Sequence, residues 1–173
     1  VAVSCVPPSG ATFPIGTTTV TCSATDGTNP SSLSFDVIIM DTIAPVISGT
    51  PADFTVEATS TAGADVVYTD PTATDATDGP VPVSCIPASG STFGFGITPV
   101  SCSATDAAGN TATTGFSVTV VDSTAPVVTV PADIVEEATS PSGNVVSYSS
   151  SATDTVDGAL VPTCTPLASG STF

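Results

Sequence analysis

The chain has 173 residues, enough for one or two small domains, and it carries sixteen Asp and Glu residues with no Lys, Arg or His. No side chain can therefore neutralise phosphate, so the formal net charge of −16 argues against nucleic acid and anionic lipid as direct partners. No apolar run approaches the roughly 20 residues of a membrane-spanning helix. Cations, basic surfaces and neutral glycans are the partners that this charge favours.

An internal repeat of about 80 residues organises the sequence. The segment Val3–Asp26 (VSCVPPSGATFPIGTTTVTCSATD) returns as Val83–Asp106 (VSCIPASGSTFGFGITPVSCSATD), and a third copy begins at Pro162. The other half of the unit occurs at Asp41–Ser60 and again at Asp122–Ser140. The chain therefore contains just over two periods of one repeating unit.

Two Pro-containing linkers that begin at Asp41 and Asp122 indicate where one module ends and the next begins. They predict the C-terminal part of a module over 1–41, a complete module over 42–121 and the N-terminal part of a further module over 122–173. The tail of one chain could be completed by the head of the next, but the two ends share 13 residues that would compete for one strand position. We therefore interpret the sequence as a window from a longer array.

Short segments rich in Val, Ile and Thr, separated by Gly, Pro and Asp, predict strands and turns. No segment combines a 3.6-residue period with helix caps. Six or seven strands at this spacing are typical of a two-sheet sandwich, so the predicted fold class is all-β. The strands predicted for the complete module are Pro45–Ser48, Phe54–Ala58, Val66–Asp70, Pro82–Ile86, Thr98–Ala104 and Thr113–Val121.

The five cysteines follow the repeat. Cys5 and Cys22 are seventeen residues apart, as are Cys85 and Cys102, and we predict a disulfide within each pair. Cys164 is the first member of a third pair whose partner lies outside the chain. Thiolate binding of a metal is the alternative, but it requires clustered ligands such as CxxC or added His. Because disulfides persist in oxidising compartments, the sequence predicts an extracellular or cell-surface protein.

A specific pattern runs through both halves of the repeat. It comprises Cys85-Ile-Pro-Ala-Ser-Gly-Ser-Thr-Phe93, Val100-Ser-Cys102, Ala104-Thr-Asp-Ala-Ala-Gly-Asn110, Phe116-Ser-Val-Thr-Val120 and, in the front half, Pro131-Ala-Asp-Ile134. In these residues the chain resembles the hyalin repeat (HYR) family of extracellular and adhesive proteins. The resemblance implies tandem immunoglobulin-like β-sandwich modules of about 80 residues in an elongated array. It also implies adhesion or structural display and not catalysis.

The sequence departs from the family pattern in two places. Many family members have a second cysteine pair, but here the corresponding positions hold Thr50 or Val130 for one partner and Thr114 or Leu33 for the other. Both partners are missing together, as expected if that bridge was lost as a unit. The first repeat also has Asp26-Gly-Thr-Asn-Pro-Ser in this segment and lacks the Gly-Asn ending. Its loop is therefore expected to differ from that of the second repeat.

Acidic turn-like segments suggest bound Ca²⁺, which prefers six to eight oxygen ligands from carboxylates, carbonyls and water. We expect the linker acids to be joined by Asp53 or Asp133, with Glu57 or Glu136, where modules meet. The alternatives are that Asp, Gly and Asn are ordinary turn residues and that dispersed carboxylates only keep the surface soluble. The candidate calcium ligands are Asp75, Asp78, Asp106, Asn110, Asp41 and Asp122.

Catalysis is not predicted. Without His or Lys, a Ser nucleophile lacks its usual bases. Pairs of neighbouring carboxylates could in principle serve a glycosidase, but they lie in repeated turn-like segments, which is a poor way to build one active cleft. These pairs are Asp75 and Asp78, Asp154 and Asp157, and Glu136 and Glu137.

Two functions from different classes fit these observations. The first is a structural subunit or segment of an extracellular filament, stalk or surface fibre, which self-associates through tandem modules. The second is an adhesive module that recognises a glycan or protein receptor, which requires an exposed aromatic or Arg-rich patch. We expect Phe93, Phe95 and Phe116 to fill the core instead of forming such a patch, so the structural function is favoured.

Overall fold

A computed structural model describes residues 2–165 and 170–171, and the regular structure in this part of the chain is β. None of the described residues forms a helix long and apolar enough to cross a membrane. The strands are β1 (Val3–Val6), β2 (Gly16–Thr25), β3 (Pro30–Ile39), β4 (Val46–Ser48), β5 (Phe54–Glu57), β6 (Ala64–Val66), β7 (Thr72–Asp75), β8 (Gly79–Val81), β9 (Val83–Ile86), β10 (Ser91–Phe93), β11 (Gly96–Thr105), β12 (Thr111–Val121), β13 (Val127–Thr129), β14 (Ser151–Asp154) and β15 (Gly158–Leu160).

Contacts within the chain define two compact units, and the long strands β11 and β12 each run through both of them. The first unit consists of Val1–Ser48, Thr72–Val83 and Ser103–Thr113. The second unit consists of Gly49–Pro71, Ser84–Cys102 and Thr114–Phe173.

The first unit contains two three-stranded antiparallel sheets. One has the order β1-β2-β3, with Cys5 opposite Cys22 and Val20 opposite Phe35. The other has the order β4-β7-β8 and includes the tight β7–β8 hairpin. A small cluster of Ala73, Val81 and Ala104 is buried in this unit.

The second unit contains the main core. Its four-stranded sheet has the order β5-β12-β11-β9, and β5 pairs with β12 in parallel, with Phe54 opposite Val118 and Val56 opposite Val120. Two smaller sheets, β10-β6 and β13-β14-β15, belong to the same unit. The largest fully buried side chains are Phe93, Val100, Val118, Val120 and Cys102.

The ring of Phe116 organises this core. It stacks on Phe54 with 6.1 Å between ring centroids and meets the edge of Tyr68 at 5.0 Å. The Tyr68 hydroxyl donates to the Pro87 carbonyl, and burial, with a smaller effect of Asp70, raises the pKa of Tyr68. Phe93 and Phe116 are buried as predicted, whereas the prediction for Phe95 is wrong because 50% of it is exposed.

The all-β fold class is confirmed, but the strand list of the complete module needs correction. The structure has nine strands there instead of six or seven, because β7, β8 and β10 lie outside the predicted strand segments. The strand predicted at Val66–Asp70 is wrong, since β6 ends at Val66 and residues 67–70 are outside the ladders. The Asp-rich segment after Pro71 is thus a hairpin and not an open loop.

The turn at Gly63 supplies a test of the core packing. Gly63 has a φ of +112°, and a Cβ there would lie 1.9 Å from the Phe93 carbonyl oxygen. We expect Gly63→Ala to lower the free energy of unfolding by about 3 kcal/mol, because a left-handed backbone cost adds to an overpacking cost. Gly49 has a φ of +76° with open space around its Cβ position, so Gly49→Ala should cost only about 1 kcal/mol. Equal losses in chemical unfolding would contradict this packing.

Candidate metal centre

Four carboxylates from three separate segments converge in the first unit. Asp41 belongs to the linker after β3, Asp75 ends β7, Asp78 lies in the β7–β8 turn and Asp106 follows β11. One oxygen atom from each lies within 4.8 Å of the others. Asp75 and Asp78 lie three residues apart in one hairpin. Asp41 approaches them from the linker, and Asp106 approaches them from the β11–β12 turn.

Asp75 is the most deeply buried member of this acidic group, with 3% of its surface exposed. Its Oδ1 accepts hydrogen bonds from the backbone nitrogens of Thr77 at 2.7 Å and Asp78 at 3.1 Å. Its Oδ2 is buried and has no hydrogen-bond partner among the residues that the structure describes. The Oδ2 of Asp41 is buried in the same way. Buried oxygens without donors are costly, and a bound cation would satisfy both of them.

Asp106 is held in place by Asn110. The Asn110 backbone nitrogen donates to Asp106 Oδ1 at 2.7 Å, and its side-chain nitrogen donates to Asp106 Oδ2 at 2.8 Å and to the Asp41 carbonyl at 3.3 Å. Burial opposes ionisation of Asp106, but these hydrogen bonds outweigh it and lower the pKa of Asp106. Asn110, a predicted ligand, thus faces the group through a donor nitrogen and acts as a positioning residue.

A second acidic group repeats the first one in the second unit. Oxygens of Asp122, Asp154 and Asp157 lie within 4.8 Å of one another. Asp154 Oδ1 accepts from the nitrogens of Val156 at 2.7 Å and Asp157 at 3.1 Å, the same turn geometry as at Asp75. Sequence reasoning placed Asp122 at a calcium site but treated Asp154 and Asp157 only as a carboxylate pair. Their position in the repeat, equivalent to Asp75 and Asp78, was the signal that could have identified them.

The donor set fits a hard divalent cation. Ca²⁺ binds oxygens at about 2.3–2.6 Å, so two ligands of one ion lie no more than about 5 Å apart. Both acidic groups meet this limit, and they offer carboxylate oxygens only, without the thiolate or imidazole that Zn²⁺ or copper prefer. Since the sequence has no cationic side chain, an ion would be the natural counter-charge for these carboxylates.

Two other predicted junction acids have different roles in the structure. Asp53 accepts the Ser117 backbone nitrogen at 2.7 Å, and Glu57 accepts four hydrogen bonds from Ser123 and Thr124 at 2.7–3.0 Å. These hydrogen bonds lower the pKa of Glu57 to about 2, and those from Ser123 have the largest effect. Glu57 therefore fastens the linker after β12 through hydrogen bonds, and neither acid joins the groups described above.

The cysteines support the repeat structurally. The predicted disulfides Cys5–Cys22 and Cys85–Cys102 are both present, and Cys164 is a free thiol.

The positions that hold a second cysteine pair in many HYR proteins are also brought together. In the complete module, Thr50 Oγ1 and Thr114 Oγ1 lie 3.0 Å apart. A hydroxyl–hydroxyl hydrogen bond thus occupies the place of that bridge.

The loop between β2 and β3 in the first repeat was expected to differ. It makes the same kind of Asp–Asn contact, between residues that are closer together in the sequence. Asp26 Oδ1 accepts the backbone nitrogen of Asn29 at 2.8 Å, and Asp26 Oδ2 accepts its side-chain nitrogen at 3.3 Å. Backbone hydrogen bonds from Asn29 and Thr28 lower the pKa of Asp26. Asn29 therefore does for Asp26 what Asn110 does for Asp106, although it is three and not four residues away.

Comparison with known proteins agrees with this architecture. Residues 40–120 match the family model of the HYR domain. The chain is 36% identical over 152 residues to hyalin of Strongylocentrotus purpuratus, which covers 82% of this chain and 13% of that protein. It is also 36% identical over 134 residues to hyalin of Lytechinus variegatus, covering 73% of this chain and 25% of that protein. The chain thus spans a quarter or less of the length of these relatives.

Small β-sheets, disulfides at repeated positions and this homology define an extracellular protein built from immunoglobulin-like β domains. Residues 40–120 are an HYR domain, and the chain is a distant homologue of sea urchin hyalin. The family resemblance seen in the sequence is therefore confirmed. HYR domains form a non-catalytic family.

Calcium binding can be tested at Asp75. We expect saturating Ca²⁺ to stabilise the chain, by about 2.7 kcal/mol at 100 times the dissociation constant, and Asp75→Asn to remove most of that gain. Without Ca²⁺ the same variant should be more stable than the parent chain, because it removes a buried charge that lacks a counter-charge. Thermal unfolding with and without chelator measures both effects. Asp70→Asn, a charge change at an exposed residue, should keep the calcium response; a response retained by Asp75→Asn would contradict the site.

The Glu57 contacts predict a defined pH dependence. The pKa of Glu57 is about 2 in the folded chain against an ordinary 4.5, so its stabilising effect is complete above pH 4.5 and is lost as the pH falls through 2. Glu57→Gln should therefore unfold more easily than the parent chain at pH 7, and the difference should shrink between pH 4.5 and pH 2. Circular dichroism melts at several pH values measure this. A difference that is constant with pH would show that Glu57 does not act through its charge.

Proposed function

We propose that this chain is a structural segment of an extracellular filament, stalk or surface fibre made of tandem HYR modules. The observation that carries the proposal is the position of the first acidic group. It joins Asp41, which lies in the linker, to Asp75 and Asp78 in a hairpin and to Asp106 in a turn of the module. An ion bound there would fix the linker to the module that follows it.

Repetition of this arrangement supports a structural role. The linker acid Asp122 meets Asp154 and Asp157 in the same way, so each new module would begin with an ion-fastened linker. Glu57 adds a second fastening, because it binds the linker residues Ser123 and Thr124 directly. A chain with fixed linkers transmits force and keeps its direction, whereas freely jointed modules collapse into a coil.

Calcium is the cation that we assign to these groups. The carboxylates lie close enough to share one ion, and the extracellular setting indicated by the disulfides supplies Ca²⁺ at millimolar levels, within reach of the roughly 10⁻⁴–10⁻³ M affinities of extracellular modules. The chain would supply the four carboxylates, Asn110 would orient Asp106, and backbone carbonyls and water would complete the ligand shell.

Electron microscopy of the native protein, with and without a calcium chelator, tests the proposal. We expect regular filaments in calcium that soften or dissociate in chelator. Filaments that are indifferent to chelator would keep the structural function and remove calcium from it. Isolated compact particles in calcium would contradict the structural function and favour an adhesive module instead.

A further inference from the structure

Two strands of the complete module run side by side in the same direction. Strand β5 follows the first linker and β4, and β12 leads directly into the second linker. They pair in parallel, from Phe54 opposite Val118 to Glu57 opposite Val121. The chain therefore enters this pair at the N-terminal end of β5 and leaves it at the C-terminal end of β12.

This direction determines how tension along the chain acts on the β5–β12 pair. A pull on the two linkers draws β5 toward its N-terminal side and β12 toward its C-terminal side, so the strands are sheared along their length. The evenly spaced hydrogen bonds of a parallel ladder then carry the load together. If both strands were pulled from the same end, the bonds would open one at a time, and each would carry the whole load in turn.

Carboxylates extend the β5–β12 pair at both ends. Before the ladder, Asp53 Oδ1 accepts the Ser117 backbone nitrogen at 2.7 Å. After the ladder, the Ala58 nitrogen donates to the Val121 carbonyl at 2.7 Å. The Glu57 carboxylate accepts two backbone and two hydroxyl hydrogen bonds from the linker that follows β12. Because hydrogen bonds to ionised groups are stronger than neutral ones, these contacts reinforce the ladder at its two ends.

The core holds β12 in place on its other sides. Strand β12 lies between β5 and β11 in the four-stranded sheet. Its residues Phe116, Val118 and Val120 are buried, and the Phe116 ring stacks on Phe54 of β5. Water has little access to this face of the ladder, so a hydrogen bond lengthened by tension is not readily exchanged for one to water. Sliding of β5 past β12 therefore has to break the whole set of contacts.

We propose that the β5–β12 pair is the force-bearing element of the module, which resists unfolding when the chain is under tension from one linker to the next. The inference rests on the proposed function, because a segment of a filament, stalk or fibre carries such tension. It deepens that function by assigning mechanical resistance to one pair of strands and to the carboxylates of Asp53 and Glu57. The resistance needs no ion, because the pair contains none of the carboxylates of the first acidic group.

The direction of the applied force tests the inference, because one folded chain can be pulled in two ways. In a Cys164→Ser background, DNA handles are attached to cysteines introduced at exposed positions, and optical tweezers measure the unfolding force without reductant. With Thr42→Cys and Ala125→Cys, the load enters through the two linkers and shears the pair. With Thr61→Cys and Ala125→Cys, both strands are pulled from their C-terminal ends, which opens the same pair bond by bond.

The linker-to-linker geometry should give the higher force. We expect the mean unfolding force to be at least about twofold higher there, because forced unfolding is governed by the unfolding rate, which falls when many bonds must break together. Equal forces in the two geometries, or a higher force for the Thr61 and Ala125 handles, would overturn the inference.

Two matched variants test the carboxylate at the end of β5. Glu57→Ala removes the hydrogen bonds from the second linker, so we expect the linker-to-linker force to fall by about a third. Asp65→Ala is the control. Asp65 is also an exposed acid that accepts a hydrogen bond, from Thr92, but it lies in β6, outside the pair, and its removal should leave the force unchanged. An equal fall in both variants would overturn the role of Glu57.

The outcomes separate this inference from the proposed function. We expect the twofold ratio both in calcium and in chelator, and a ratio seen only in calcium would contradict a resistance that needs no ion. Filaments seen by electron microscopy together with equal forces would keep the structural function and overturn the force-bearing pair. Compact particles together with the twofold ratio would overturn the structural function and leave the resistance to shear as a property of the module.

Discussion

The buried carboxylate of Asp75 sets the strictest physical requirement in this chain, because there is no Lys, Arg or His to pair with it. Its Oδ1 accepts hydrogen bonds from the turn that follows, but its Oδ2 is buried without a donor among the described residues, and an oxygen of Asp75 lies within 4.8 Å of three more carboxylates. Burying an uncompensated charge is costly, and four like charges at this distance repel one another. A cation bound by this acidic group, as proposed above, would supply the missing counter-charge.

The same constraint explains how the linkers are built. With no Arg or Lys in the chain, the linker acid Asp41 lies close to other carboxylates, and the linker after β12 donates hydrogen bonds to the carboxylate of Glu57. The buried core of the second unit consists mainly of Val and Ala side chains with the rings of Phe93, Phe116 and Tyr68.

Sequence reasoning identified the repeat, the all-β fold and the disulfide pairs, because these depend on local patterns copied at a fixed offset. It missed β7 and β8, since Ala-Thr-Asp-Ala-Thr-Asp-Gly has too short an alternation to distinguish a hairpin from a turn. It named Asp41, Asp75, Asp78 and Asp106 as candidate ligands, and the structure brings them together. The donor role of Asn110 and the linker contacts of Glu57 depend on side-chain orientation across sheets, which spacing along the chain does not encode.

The most direct test of this account is a crystal structure of the chain grown in calcium, with anomalous scattering data to locate the ion. The account predicts an anomalous peak within about 2.3–2.6 Å of Asp75 Oδ2, with Asp41, Asp78 and Asp106 among the other ligands. The absence of any peak at Asp75, with a water molecule or a protonated carboxyl group in its place, would contradict the ion-fastened linker on which the account rests.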